Sequence, residues 1–168
     1  MAGRVVGPRG RVVGIDLRPL DRPIDLPNVF AFEGDLCESA DLERLRSELG
    51  KRADVVLCDA SPKRTGVRVV DRAREAVLLE AVEAALDALL APGGSLLLKL
   101  LDAPEALSAE RRLRRRFASA RVLRLRATRR GSRERYLLAR GFRPAEAGPA
   151  GESGPGKATT GRDREESP

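Results

Sequence analysis

Asp54-Val55-Val56-Leu57-Cys58-Asp59-Ala60-Ser61-Pro62 is the stretch from which the fold of this chain is read. A short apolar run that closes on an acid and then a proline, with Gly66 just beyond, reads as a buried strand that carries one carboxylate, Asp59, to a sheet edge where a loop opens. Upstream the same pattern occurs twice more, as Gly10-Arg11-Val12-Val13-Gly14-Ile15-Asp16 and as Val29-Phe30-Ala31-Phe32-Glu33-Gly34-Asp35. An acid at the carboxyl end of a parallel strand is placed to accept hydrogen bonds from ribose hydroxyls, although aspartates also end strands simply as turn formers or helix caps.

Leu17 to Asn28 carries three prolines and is read as a loop. Leu42, Leu45 and Leu49 stand at helical spacing and predict a short amphipathic helix over 41–49, capped by Ser39 or Asp41 and stopped by Gly50. A longer helix is predicted over 71–90, with Leu78, Val82, Leu86 and Leu89 as its apolar stripe and Glu75, Glu80, Glu83 and Asp87 mostly off it. Ser95 to Leu101 is a further buried strand, interrupted by Lys99. Residues 103–117 read as a helix, 121–126 as a strand of partial two-residue alternation and 135–139 as a final strand, the last two forming an antiparallel hairpin. Strands alternating with helices predict an α/β domain with a mostly parallel sheet.

The chain has 168 residues, enough for one domain with a real core, and its aromatic content of 3% leaves that core to Leu, Val and Ala. The domain is assigned to residues 1–143. Residues 144–168 are Gly, Pro, Ala, Ser and charge, the composition of a disordered tail.

The formal charge is +7, and the excess is uneven: twelve arginines and one acid, Glu134, lie between Arg111 and Arg135. Lys63-Arg64-Thr65-Gly66-Val67-Arg68 adds a basic loop beside Asp59. A polyanion such as RNA is the natural partner of this charge, against the plainer reading of a solvated arginine-rich surface. Cys37 and Cys58 stand 21 residues apart in a chain without histidine, which suggests neither a zinc site nor a disulfide framework. No apolar run approaches the ~20 residues of a membrane span and the amino terminus lacks a signal-peptide core, so the cytoplasm is the expected location.

A lysine inside an apolar strand is costly to bury, so Lys99 either snorkels outward or is functional. Asp59, Lys99 and Glu134 all fall at strand ends and can converge on one edge of the sheet, where together they could position and deprotonate a hydroxyl. Burial lowers a lysine's pKa and neighbouring carboxylates raise it, so the balance is not legible from sequence.

The segments GRVVGIDLRPL, EGDL, DVVLCDASPKRTG, LAPGGSLLLKLL and SRERYLLA, in this order and spacing, resemble the FtsJ-type ribosomal RNA 2′-O-methyltransferases from about Gly10 to Arg140. The resemblance implies a Rossmann-like methyltransferase sheet, S-adenosylmethionine as cofactor, and a ribose 2′-hydroxyl of 23S ribosomal RNA in large ribosomal subunit particles as substrate. It implies a catalytic set of two lysines, an aspartate and a glutamate. Asp59 matches the aspartate, which also lies against the cofactor. Lys99 matches the second lysine, the proton acceptor, and Glu134 the glutamate that orients it. Asp16 matches the acid on the cofactor ribose, and Asp35 the acid near the adenine.

The family's first strand, its glycine-rich turn in the pattern of a DLGAAPGGW word, and its first lysine are not matched; Met1 to Gly10 looks like the end of the helix that follows that turn. The strand in question belongs between those ending at Asp16 and Asp59, so two apolar edges are expected to be unpaired. Three readings stay open: a longer reading frame upstream, a paralogue that binds RNA without catalysis, and self-association through the open edges. A nicotinamide-dependent dehydrogenase also shows strands ending in acids, but Gly7-Pro8-Arg9-Gly10 is no GxGxxG fingerprint, and such an enzyme leaves Lys99 with Glu134 unexplained.

Overall fold

Parallel pairing of strands that are distant in sequence requires helical crossovers, and the alternation described above supplies them. The computed structural model describes residues 2–20, 24–101, 103–124 and 134–145. A short helix, α1 (Ala2–Val6), leads into β1 (Val12–Asp16), β2 (Val29–Glu33), α2 (Ser39–Leu49), β3 (Ala53–Cys58) and α3 (Arg68–Leu89). There follow β4 (Leu90–Leu100), α4 (Pro104–Arg115), β5 (Phe117–Leu123) and β6 (Arg135–Phe142).

The strands form two sheets, β1-β2 and β3-β4-β6-β5. β1 runs parallel to β2, with Asp16 opposite Glu33. β3 runs parallel to β4, with Cys58 opposite Leu98 and a register shift between Ala53 and Val55. β6 lies antiparallel to both β4 and β5, which makes the expected terminal antiparallel pair. Among the described residues no ladder joins β1 to β3, so the expected break between the strands ending at Asp16 and Asp59 is present.

One helix ties the two sheets together. Leu79, Val82 and Leu86 of α3 bury against Leu96, Leu98 and Leu100 of β4, with Leu113 of α4, Phe117, Leu137 and Phe142 completing that cluster. Ala85 and Leu89, on the neighbouring stripe of α3, pack with Phe32 and Leu45 over β1 and β2. A helix of 22 residues is long enough to serve both clusters.

Several local expectations need correction. Neither Ser39 nor Asp41 caps α2: its N-cap is Glu38, without a side-chain bond, and Asp41 Oδ2 instead accepts the Asp35 N–H at 2.8 Å. Gly50 does stop α2, at φ 70, where a Cβ would be strained. Glu75 lies on the buried stripe of α3 rather than off it. α4 stops at Arg115 and β5 starts at once with Phe117, which packs its ring against Phe142 at 5.2 Å. The strand therefore begins four residues earlier than the alternation at Arg121 suggested. Leu125, Arg126, the basic segment 128–133 and the tail from residue 146 lie outside the described residues.

Candidate active site

The parallel order of β3 and β4 brings their carboxyl ends to one edge, and the β4–β6 register sets Lys99 opposite Tyr136. Alternation within β4 then decides which way each residue faces: Leu98 and Leu100 enter the core and Lys99 does not. Lys99 Nζ lies 3.3 Å from Asp59 Oδ1, with the lysine side chain 11% exposed and the aspartate 76% exposed. The lysine is thus sheltered and the carboxylate faces solvent. The same Oδ1 accepts the Tyr136 hydroxyl at 3.1 Å.

Asp59 and Lys99 are therefore in contact. Glu134 immediately precedes β6, two residues before Tyr136, and its charge acts on that phenol. Partial burial, the bond to Asp59 and the charges of Asp59 and Glu134 all push the Tyr136 hydroxyl above its ordinary pKa, so it remains a donor near neutrality. Sequence reasoning missed Tyr136. The signal was its two-residue offset from Glu134, which in a strand puts both on one face.

At the other sheet, Asp16 and Asp35 follow the ends of adjacent parallel strands, where the Gly34 N–H donates to the Asp16 carbonyl at 2.9 Å. Each carboxylate spends one oxygen locally: Asp16 Oδ1 accepts the Arg18 N–H at 3.0 Å, and Asp35 Oδ1 the Cys37 N–H at 2.9 Å. A carboxylate has about four acceptor sites, so both retain capacity for a ligand's hydroxyl or amino group.

The basic loop is shaped by Asp71 in the first turn of α3. Its carboxylate accepts the Thr65 N–H at 2.7 Å, the Thr65 hydroxyl at 2.8 Å and the Gly66 N–H at 3.2 Å. Those bonds, led by the Thr65 amide, hold its pKa below the usual carboxylate range. The arginine-rich stretch is less free than its composition suggested. Arg112 pairs with Glu83, Arg114 with Glu110, and Arg116 with Asp87. Arg116 also lies over the Phe142 ring, and Arg135 is buried beside Glu110. Much of that charge therefore clamps α3, α4 and the β5–β6 pair together. Cys37 and Cys58 are free thiols. No described helix is long and apolar enough to cross a membrane.

The FtsJ-like methyltransferase family model matches residues 2–142. Ribosomal RNA large subunit methyltransferase E of Alkalilimnicola ehrlichii is 39% identical over 143 residues, 84% of this chain and 67% of that protein. The protein of the same name in Desulfatibacillum aliphaticivorans is 35% identical, over 82% of this chain and 65% of its own length. The chain thus spans about two thirds of the length of these curated relatives. Among solved structures, a Plasmodium falciparum protein assigned as a ribosomal RNA methyltransferase superposes with a TM-score of 0.65 at 21% identity, over 80% of this chain and 74% of its own. Human methyltransferase-like protein 13, in complex with SAH, gives a TM-score of 0.53 at 16% identity, over 86% of this chain and 66% of its own. These two likenesses show the Rossmann-like fold. With the match running across nearly every described element, the chain belongs to the FtsJ-like methyltransferase family.

Proposed function

We propose that this chain acts in S-adenosylmethionine-dependent methylation of a ribose 2′-hydroxyl of large-subunit ribosomal RNA. The observation that carries the reading is the contact of Lys99 with Asp59 at 3.3 Å, at the carboxyl edge of the sheet, with Tyr136 on the same oxygen. The names of the curated relatives supply the substrate class.

S-adenosylmethionine, when bound, supplies an electrophilic sulfonium methyl. Asp16 would hold its ribose and Asp35 its adenine end, each with the acceptor capacity left over from its turn. Asp59 orients Lys99 and the entering hydroxyl, Glu134 helps to align them, and Lys99 receives the proton as the new oxygen–carbon bond forms. A protonated lysine is no base, its ordinary pKa being about 10.4, so transfer rises with pH as neutral Lys99 becomes available. Lys63, Arg64 and Arg68, beside the site, would contact RNA phosphates, which positions a substrate without reading its sequence.

A second reading is RNA binding without catalysis, favoured by the absence of a ladder between β1, which carries Asp16, and β3, which leads to Asp59. Labelled methyl transfer to large-subunit particles or their RNA separates the two. A 2′-O-methyl group makes its phosphodiester resistant to alkali, because the neighbouring hydroxyl that would attack the phosphate is capped. Alkali-resistant label that disappears in Lys99→Ala supports methyl transfer. An RNA mobility shift at low salt with no label incorporated supports the second reading and refutes the first.

A further inference from the structure

Glu75 is a carboxylate in the wrong place for a surface helix: it is 5% exposed, on the core-facing stripe of α3, one turn before Leu79. Acids are almost never buried this far without a partner. Its Oε1 accepts the N–H of Leu101 at 3.4 Å, at the residue that ends the run beginning with β4 and two positions after Lys99. The charge of Lys99 acts on it directly. Glu75 and Asp59 therefore address one ammonium from two elements, α3 and the end of β3.

We propose that Glu75 is a positioning residue for Lys99: from α3 it anchors the carboxyl end of β4 and supplies a buried counter-charge that complements Asp59. This rests on the proposed function only for its effect on methyl transfer; the coupling between Glu75 and Lys99 does not.

The groups that bear on the pair come from every neighbouring element. Asp59, Cys58 and Tyr136 surround Lys99 from β3 and β6, with Glu134 just before β6. Glu105 of α4 acts on Glu75 as a like charge, and its own Oε1 is bound by Arg72 at 2.6 Å. Burial pushes the Glu75 carboxyl above its ordinary value, and the Leu101 N–H and then Lys99 pull it back. Removing the cation must therefore raise the Glu75 pKa, and a coupling free energy is reciprocal between the two sites.

The test is a carbon-detected NMR titration of the Glu75 carboxyl in the full chain, assigned by its loss in Glu75→Gln. In Lys99→Met the Glu75 midpoint should move upward, on the order of half a unit for charges separated through an effective dielectric of about 20. In Lys99→Arg, which keeps the charge, it should stay near the parent value. Lys99→Gln gives the same reading as Lys99→Met if the methionine variant does not fold. An unchanged midpoint in the neutral variants overturns the proposal, whether or not the chain transfers methyl groups. Where transfer is measurable, Glu75→Gln still accepts the Leu101 N–H but carries no charge, so its pH–rate profile should move to lower pH with KM for S-adenosylmethionine unchanged. A profile that does not move overturns the positioning role, and a parent chain with no transfer counts against the proposed function alone.

Discussion

Asp59 Oδ1 accepts two donors, Lys99 Nζ and the Tyr136 hydroxyl, while the rest of the carboxylate faces solvent. Two donors from neighbouring strands hold a solvent-facing carboxylate at one rotamer where water alone would leave it free to turn. Tyr136→Phe removes one of them without changing the ring that lies along β6. A neutral O–H···O bond is worth about 1 kcal/mol, so methyl transfer should fall about fivefold, with the thermal midpoint unmoved. A midpoint drop that accounts for the whole loss would make Tyr136 structural instead. Lys99→Ala removes the proton acceptor itself, and its loss should be larger, ~10²- to 10⁴-fold. The acids at strand ends were legible because an apolar run closed by an acid has few other meanings. Tyr136 was not, because an aromatic in a strand reads first as core. Glu75 was not either, although its spacing from Leu79, Val82 and Leu86 put it on the stripe; its charge argued against the position its periodicity required.

Helix α3 connects three features: its amino end shapes the basic loop, its middle presents Glu75, and its remaining turns cover both sheets. Asp71 does the first of these with three accepted hydrogen bonds. Its folded pKa lies below the unfolded value, so loop order is fully present above about 3.9 and is lost as pH falls through the depressed folded value. Amide exchange at Thr65 and Gly66 should therefore accelerate in acid, and Asp71→Asn should accelerate it at neutral pH; slow exchange in that variant would sink the assignment. Leu86, 1% exposed at the centre of the larger cluster, tests the covering role. Leu86→Ala should cost about 2–5 kcal/mol in denaturant unfolding, because transfer and cavity terms add. The boundaries of α2 and α3 were nearly legible from leucine spacing. That of β5 was not, since nothing local marks the point where Arg116 ends a helix and Phe117 finds Phe142 across the sheet. The arginine-rich stretch showed the same limit: composition counts charges, but only packing shows that Glu83, Glu110 and Asp87 already pair with three of them.

At the scale of the molecule, α3 joins two sheets that do not share a ladder, so β1 and β3 each carry a backbone edge with no strand partner among the described residues. The face of β3 that carries Val55 and Leu57 is open as well, at 54% and 63% exposure. An unpaired edge beside an exposed apolar face is a template for another strand, and proteins that keep such an edge monomeric usually place a lysine or proline on it. β3, Ala53-Asp54-Val55-Val56-Leu57-Cys58, has neither. A second copy of the chain is the occupant that is always at hand, and a two-fold arrangement would set β3 antiparallel to its mate and cover Val55 and Leu57 on both. The chain should accordingly show a concentration-dependent sedimentation coefficient from micromolar to hundreds of micromolar. Leu57→Lys, which puts a charge on that face without touching the α3 side of the sheet, should shift the population towards monomer and leave the Leu86 core intact. A parent chain that sediments as a monomer throughout that range while unfolding cooperatively would show that α3 and the two clusters suffice without strand pairing between copies.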